Sequence, residues 1–241
     1  MALERIDKII ASRTAYSRRE VKELIKKGAV RLDGSLVLSP DQKLDPVLQS
    51  VEIDGKRLFY EKYSYLMLNK PQGYVSATRD GKEKTVLALL SPEWQSRKLF
   101  PAGRLDKDTT GFVLLTDDGA FAHDILAPKH HVPKVYHLTA QRAVSAAERR
   151  QMEEGMMLDG QKLLGAKLRL LDQESCRYEI ILQQGLYHQI KRMFAATGNQ
   201  VLTLHRVAIG GVFLDPDLAE GQYRHLTVQE VNTIKNSREN L

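Results

Sequence analysis

Cysteine is nearly absent: Cys176 is the single one in 241 residues. That excludes an intrachain disulfide and any metal site built on a cysteine cluster. No apolar run approaches the roughly 18 residues of a membrane span. No hydrophobic stretch follows Met1, so no secretory signal is expected, and a cytoplasmic protein without a membrane partner is. Internal repeats are also missing. The 42% hydrophobic and 27% charged content is that of an ordinary globular chain, long enough for one large domain or two unequal ones. Acidic charge is in short supply, and the net charge is +6. The imbalance is local: residues 1–31 hold nine basic and four acidic side chains, and so most of the excess. An excess of this kind fits a polyanion partner.

The same segment carries its own fold signals. Leu3, Ile6, Ile9 and Ile10 recur at helical spacing over residues 3–11. Ser17-Arg18-Arg19-Glu20 has the form of a capping box, opening a second helix that Gly28 stops. Val30–Leu32 and Leu36–Leu38 flank an Asp33-Gly34 turn, and Val51–Ile53 adds a further strand. This unit closes near residue 58. On the second helix Arg18, Arg19, Lys22 and Lys26 share one face, either as a solvated helix surface or as a strip that meets phosphates.

Phe59–Ser64 reads as a connector. Beyond it, strands are expected at 65–69, 112–116, 135–139, 167–171 and 178–182, and helices at 84–90, 119–126, 145–154, 187–197 and 227–235. Strands come in turn-linked pairs with helices irregularly between them, which predicts an α+β domain on a mostly antiparallel mixed sheet. The last residues, 236–241, read as a frayed tail.

Two segments could carry chemistry. Gly103-Arg104-Leu105-Asp106-Lys107-Asp108-Thr109-Thr110-Gly111 is a charged loop between glycines that runs into an apolar strand. Its Asp106 could be aimed at a ligand, or Asp106 or Asp108 could simply bond its own backbone in a turn. Gln184-Gly185-Leu186-Tyr187-His188-Gln189-Ile190-Lys191-Arg192-Met193 opens a helix with an apolar stripe and two cations. Asp117-Asp118-Gly119 reads as ordinary turn chemistry. His130-His131 is a poor metal pair, because adjacent side chains diverge, and no metal site is expected. Cys176, with no base near it in sequence, reads as a buried or edge residue.

Residues 5–34, from Arg5-Ile6-Asp7-Lys8 to Asp33-Gly34, resemble the S4 RNA-binding domain. Asn69-Lys70-Pro71-Gln72-Gly73-Tyr74, the loop 103–111, Lys134-Val135-Tyr136 and the 187–193 motif resemble, in that order, the RsuA branch of the pseudouridine synthases. The closing segments around Leu204-His205-Arg206 and Gly221–Thr227 resemble it too. Here Gln184-Gly185-Leu186 stands where that branch usually has Glu-Gly-Arg, which bears on local RNA contacts.

The resemblance implies an S4-like domain at 1–58 and a catalytic domain at 59–241. It implies isomerisation of a uridine in small-subunit ribosomal RNA, the alternative being the large-subunit RNA. Asp106 would be the catalytic carboxylate, with Lys191 keeping it ionised and Tyr136 stacking on the uracil. Arg104 would hold the space that the flipped base leaves, and Ile190 would form pocket wall. Arg5, Lys8, Arg18, Arg19, Lys22, Lys26 and Arg192 would meet the RNA. No cofactor is implied, because no redox change occurs and no group is lost. The expected partner is ribosomal RNA in a ribosome assembly intermediate, met by a monomer. A non-catalytic RNA-binding protein and a hydrolase with a second carboxylate are the rivals.

Overall fold

The computed structural model describes residues 3–14, 16–45, 49–58, 63–127 and 132–237. His130-His131, most of the 59–64 connector and most of the expected frayed tail lie outside these residues. The chain forms two compact units, residues 1–64 with 90–99, and residues 65–89 with 100–241.

In the first unit β1 (Glu4–Arg5) leads into α1 (Ile6–Arg13), followed by α2 (Arg18–Lys26), β2 (Val30–Leu32), β3 (Ser35–Leu36), β4 (Lys43–Leu44), β5 (Val51–Ile53) and β6 (Lys56–Leu58). Helix α1 starts three residues later than its apolar spacing predicts. Glu4 and Arg5 pair instead with Leu44 and Lys43, and Leu3 is left exposed. The Ser17–Glu20 capping box forms as read, with the Glu20 carboxylate accepting the Ser17 N–H at 2.7 Å. Ile6, Ile9, Ile10, Val21 and Ile25 close one face of both helices over Val30, Leu44, Val51 and Ile53. The short α3 (Pro92–Gln95) belongs to this unit, where the Arg97 guanidinium lies 4.1 Å over the Trp94 ring.

The second unit contains β7 (Tyr65–Lys70), β8 (Phe100–Pro101), β9 (Thr110–Thr116), α4 (Gly119–Leu126), β10 (Lys134–Ala140), α5 (Ala146–Glu154), the hairpin β11 (Met157–Leu158) and β12 (Gln161–Lys162), β13 (Lys167–Asp172), β14 (Arg177–Leu182), α6 (Gln189–Ala196), β15 (Val201–Ile209), β16 (Val212–Phe213), β17 (Tyr223–His225) and α7 (Val228–Asn236). Its main sheet runs β13-β14-β10-β15-β9-β7-β17, with β16 on β15 and β8 on β9. Every pairing in it is antiparallel except β15 with β9. The α+β expectation therefore holds.

That parallel pairing depends on Gly111. It sits at φ +99, opposite Arg206, and a Cβ there would lie 2.3 Å from the Arg206 carbonyl oxygen. Only glycine lets the two backbones approach so closely. Helices α4 and α7 place Phe121, Ile125 and Ile234 over Phe112 and Leu114 of β9, burying the strand that carries the 103–111 loop. Asp118 caps α4 through the Phe121 N–H and also accepts the Tyr65 hydroxyl at 2.7 Å, more than its turn reading predicts.

Other expectations shift. The helix expected at 84–90 is a single 3₁₀ turn, Val86–Leu89, because Pro92 soon follows and disfavours helix just before it. The helix expected at 187–197 starts at Gln189, because His188 is left-handed at φ 49. Cys176 sits in the β13–β14 turn, partly exposed, and is not buried. No helix among the described residues is long and apolar enough to cross a membrane.

Candidate active site

The loop 103–111 is tied down before any ligand is considered. The Ser76 hydroxyl accepts the Leu105 N–H and donates to the Leu105 carbonyl, both at 3.0 Å. The Gly73 N–H donates to Lys107 O at 2.9 Å, and the Thr109 N–H donates to Asp106 O. Beneath the loop lies Lys70, fully buried at the end of β7. Its ammonium donates to the carbonyls of Thr109 at 2.7 Å, Pro71 at 3.1 Å and Lys107 at 3.2 Å. Burial pushes its pKa down to about 8, against the pull of Asp108 and Asp106. A buried ammonium is tolerated here because three carbonyl oxygens accept its hydrogen bonds.

The loop so held presents Asp106 to the start of α6. Lys191 Nζ lies 3.1 Å from Asp106 Oδ2 and 2.6 Å from Asp108 Oδ1, and His188 Nε2 lies 3.4 Å from Asp106 Oδ1. Burial tends to lower the Lys191 pKa, but its bonds to Asp108 and Asp106 outweigh that and the net shift is upward. The Lys191 hydrogen bond holds Asp108 below the usual carboxylate range. Both aspartates are thus bound to a cation from a distant segment, 83 residues beyond Asp108, and neither loop carboxylate is merely a turn former.

Around Asp106 a cleft of about 430 Å³ is lined by Arg104, Thr109, Tyr136, Leu182, Ile190 and Leu204, among others. Arg104, Asp106, Tyr136, Ile190 and Lys191 therefore converge on one site, although they come from three separate segments. Arg104 is exposed at the rim, and Ile190 is a buried wall residue. Tyr136 is buried, and its hydroxyl accepts from Arg206 Nη1 at 3.4 Å. Arg206 is itself buried and donates through Nε to Phe112 O at 2.7 Å. Two residues before Tyr136, burial and the Arg206 charge push Lys134 down to about 8.

Arg192 is engaged differently. It pairs with Asp159 of the β11–β12 turn and donates to Tyr187 O at 3.2 Å, so it fixes the helix start. On the first unit Arg5 is bound by Asp7, Lys8 by Glu4 and Lys26 by Glu23. Arg18, Arg19 and Lys22 are exposed and form no ion pair among the described residues. Gln184, one of the two departures, accepts the Leu164 N–H at 2.9 Å, and Leu186, the other, lines the cleft.

Sequence reasoning did not single out His188, Asp108 as the second partner of Lys191, Lys70 as the loop brace, or Arg206 behind Tyr136. A signal existed for Lys70: a lysine ending an apolar strand reading Tyr-Leu-Met-Leu-Asn is placed where burial must be compensated. For His188 and Arg206 the contacts are tertiary, and nothing local announces them.

Comparison with known proteins identifies the family. The family described as RNA pseudouridylate synthase matches residues 64–196, and the S4 domain matches residues 4–46. An uncharacterised RNA pseudouridine synthase of Bacillus subtilis is 42% identical over 95% of this chain and 98% of its own length. Ribosomal small subunit pseudouridine synthase A of Escherichia coli K12 is 42% identical over 95% of this chain and 99% of its own. A crystal structure of a pseudouridylate synthase, 38% identical, superimposes with a TM-score of 0.68 over 96% of this chain and 99% of that one. With an S4 domain matched at residues 4–46 and the synthase family matched over residues 64–196, the chain belongs to the RNA pseudouridylate synthase family.

Proposed function

We propose that the chain converts one uridine of small-subunit ribosomal RNA to pseudouridine, with Asp106 as the catalytic carboxylate. The observation that carries this is the Asp106–Lys191 contact at 3.1 Å, beside Tyr136 in one cleft. Relatives 42% identical along 95% of the chain carry the small-subunit name, which supports the choice of RNA.

The reaction breaks the C1′–N1 bond, turns the uracil and joins C1′ to C5. Substrate and product are isomers, so the balance requires no oxidant and no cosubstrate. One carboxylate suffices, as a nucleophile at C1′ or C6 or as a base toward the sugar. Lys191 sets a positive charge 3.1 Å from that carboxylate. The uridine must leave its stack to reach Asp106. Tyr136 then meets the uracil face, Ile190 and Leu204 supply apolar wall, and exposed Arg104 fills the gap in the stack.

In this reading residues 1–58 are the RNA-binding domain and 59–241 the catalytic one. Arg18, Arg19 and Lys22 meet phosphates directly. Arg5, Lys8 and Lys26 do so only by sharing or leaving their acidic partners. Arg192 contributes to RNA contact while holding the α6 start. The acting form in this reading is a monomer. An assembly intermediate in the cytoplasm is the fitting substrate, because a base must be free to flip. The test is carbodiimide-blocked reverse transcription of ribosomal RNA from a strain lacking the gene. A single lost stop in small-subunit RNA is expected; a lost stop in large-subunit RNA instead would reassign the target.

A further inference from the structure

Tyr187 lies between the cleft-lining residues Leu186 and His188, with 76% of its surface exposed. Its ring lies flat on the His188 ring, centroids 3.8 Å apart and planes 17° from parallel. The inner edge of that pair reaches the reaction centre, since His188 Nε2 is 3.4 Å from Asp106 Oδ1. The outer face of Tyr187 is therefore an open π surface, one ring removed from the carboxylate.

The backbone holds the pair in place at a cost. His188 is left-handed at φ 49, a conformation that non-glycine residues adopt only under constraint. The other non-glycine residues at positive φ are Asp33, Asp54 and Asp159, each opening an Asp-Gly turn, and Cys176 in the β13–β14 turn. Only His188, among the described residues, has this conformation outside a hairpin. Arg192 secures it twice, by donating through Nη1 to Tyr187 O and through its N–H to His188 O. The Gln189 side chain accepts the Leu186 N–H at 3.0 Å from the other side. The two rings are thus presented on a rigid support with little ordering left to occur on binding.

We propose that Tyr187 is a stacking platform for the nucleotide next to the flipped uridine, so that base, Tyr187 and His188 form one continuous stack ending at Asp106. This rests on the reading that the cleft takes a flipped uridine. Flipping strips both neighbouring bases of a stacking partner; with Arg104 against one of them, the exposed aromatic face takes the other without regard to which base is there. The residue reads the presence of an adjacent unpaired base, not its identity.

The test uses full-length protein and two RNAs, small-subunit and large-subunit ribosomal RNA, each labelled with tritium at uridine C5. Tyr187→Leu should raise KM roughly 5- to 150-fold, the range for loss of one base–aromatic stack. Tyr187→Phe and Tyr187→Trp should restore it. Tyr187→Trp adds a second readout, quenching of its fluorescence by saturating RNA, measured against wild type with its single Trp94. An unchanged KM in Tyr187→Leu, an equal loss in Tyr187→Phe, or no quenching at saturation would each overturn the platform. If wild type releases no tritium from either RNA, the catalytic reading fails instead. Quenching, which needs only binding, would still decide the platform.

Discussion

Replacing Lys70 by Met tests whether a buried charge braces the loop that carries Asp106. In the folded protein the amine is pushed from 10.5 to about 8. At 1.36 kcal/mol per unit, the charged form costs about 3 kcal/mol of stability. Below pH 8 the amine is charged in both states, and the folded state bears this cost in full. Between pH 8 and 10.5 the folded protein releases its proton before the unfolded chain does, so stability rises by that amount. Met removes the cost but leaves the carbonyls of Pro71, Lys107 and Thr109 without their donor. By linkage, the variant's stability relative to wild type should therefore be lower near pH 10.5 than at pH 7 by about 3 kcal/mol. Activity should suffer more than stability, since a displacement of about 1 Å in the loop costs on the order of 100-fold. Urea unfolding of both proteins at the two pH values reads the titration of Lys70 together with the charges it faces, Asp106, Asp108, Lys191 and Arg206. Tritium release at pH 7 measures the loop. A stability difference that does not change with pH, or full turnover, would refute the reasoning.

Four further outcomes are expected. Asp106→Asn should leave the fold and RNA affinity intact and bring tritium release below about 1% of wild type, a barrier increase of at least about 2.7 kcal/mol. Lys191→Met should lower kcat at least about 100-fold, whereas Arg192→Met should chiefly raise KM by loosening Tyr187; equal kcat losses would place both in one role. Gly111→Ala should cost at least about 3 kcal/mol, because both φ and the Arg206 carbonyl oppose a Cβ, and a melting temperature within 3 °C or so of wild type would contradict this. Changing Arg18, Arg19 and Lys22 together to Ala should flatten the slope of log K against log salt by about 2, which filter binding across a salt series would measure.

Local rules carried the reading of the fold where the signal itself was local. The capping box at Ser17, the Asp33-Gly34 turn and the 119–126 helix were all legible from neighbouring residues. Strand β15 was not: Val-Leu-Thr-Leu-His-Arg-Val-Ala-Ile mixes polar and apolar residues without clean alternation. It lies between an antiparallel and a parallel neighbour, with His205 and Arg206 bonded to partners far away in sequence. The start of α1 was misplaced because Glu4 and Arg5 answer to β4, some 40 residues on, rather than to the helical period. At the site, motif residues named Asp106, Tyr136 and Lys191. What no motif spelled out was the support: Lys70 under the loop, Asp108 sharing Lys191, and His188 on the other carboxylate oxygen. These are contacts between segments, and spacing along the chain does not encode them.

The parallel pairing of β9 with β15 also sets when the site can exist during synthesis. Thr110 and His205, bonded side chain to side chain at 2.8 Å, are 95 residues apart in sequence. At ribosomal elongation rates of about 5–20 residues per second, the loop bearing Asp106 waits several seconds for the strand that flanks it. Lys191 arrives only shortly before that strand. A nascent chain ending before residue 201 therefore holds its carboxylate on a sheet that lacks a central strand. Such non-local closure is slow to form and late to complete. Catalytic competence then appears only with the nearly finished domain, so a partly made chain cannot modify RNA near the ribosome that is making it.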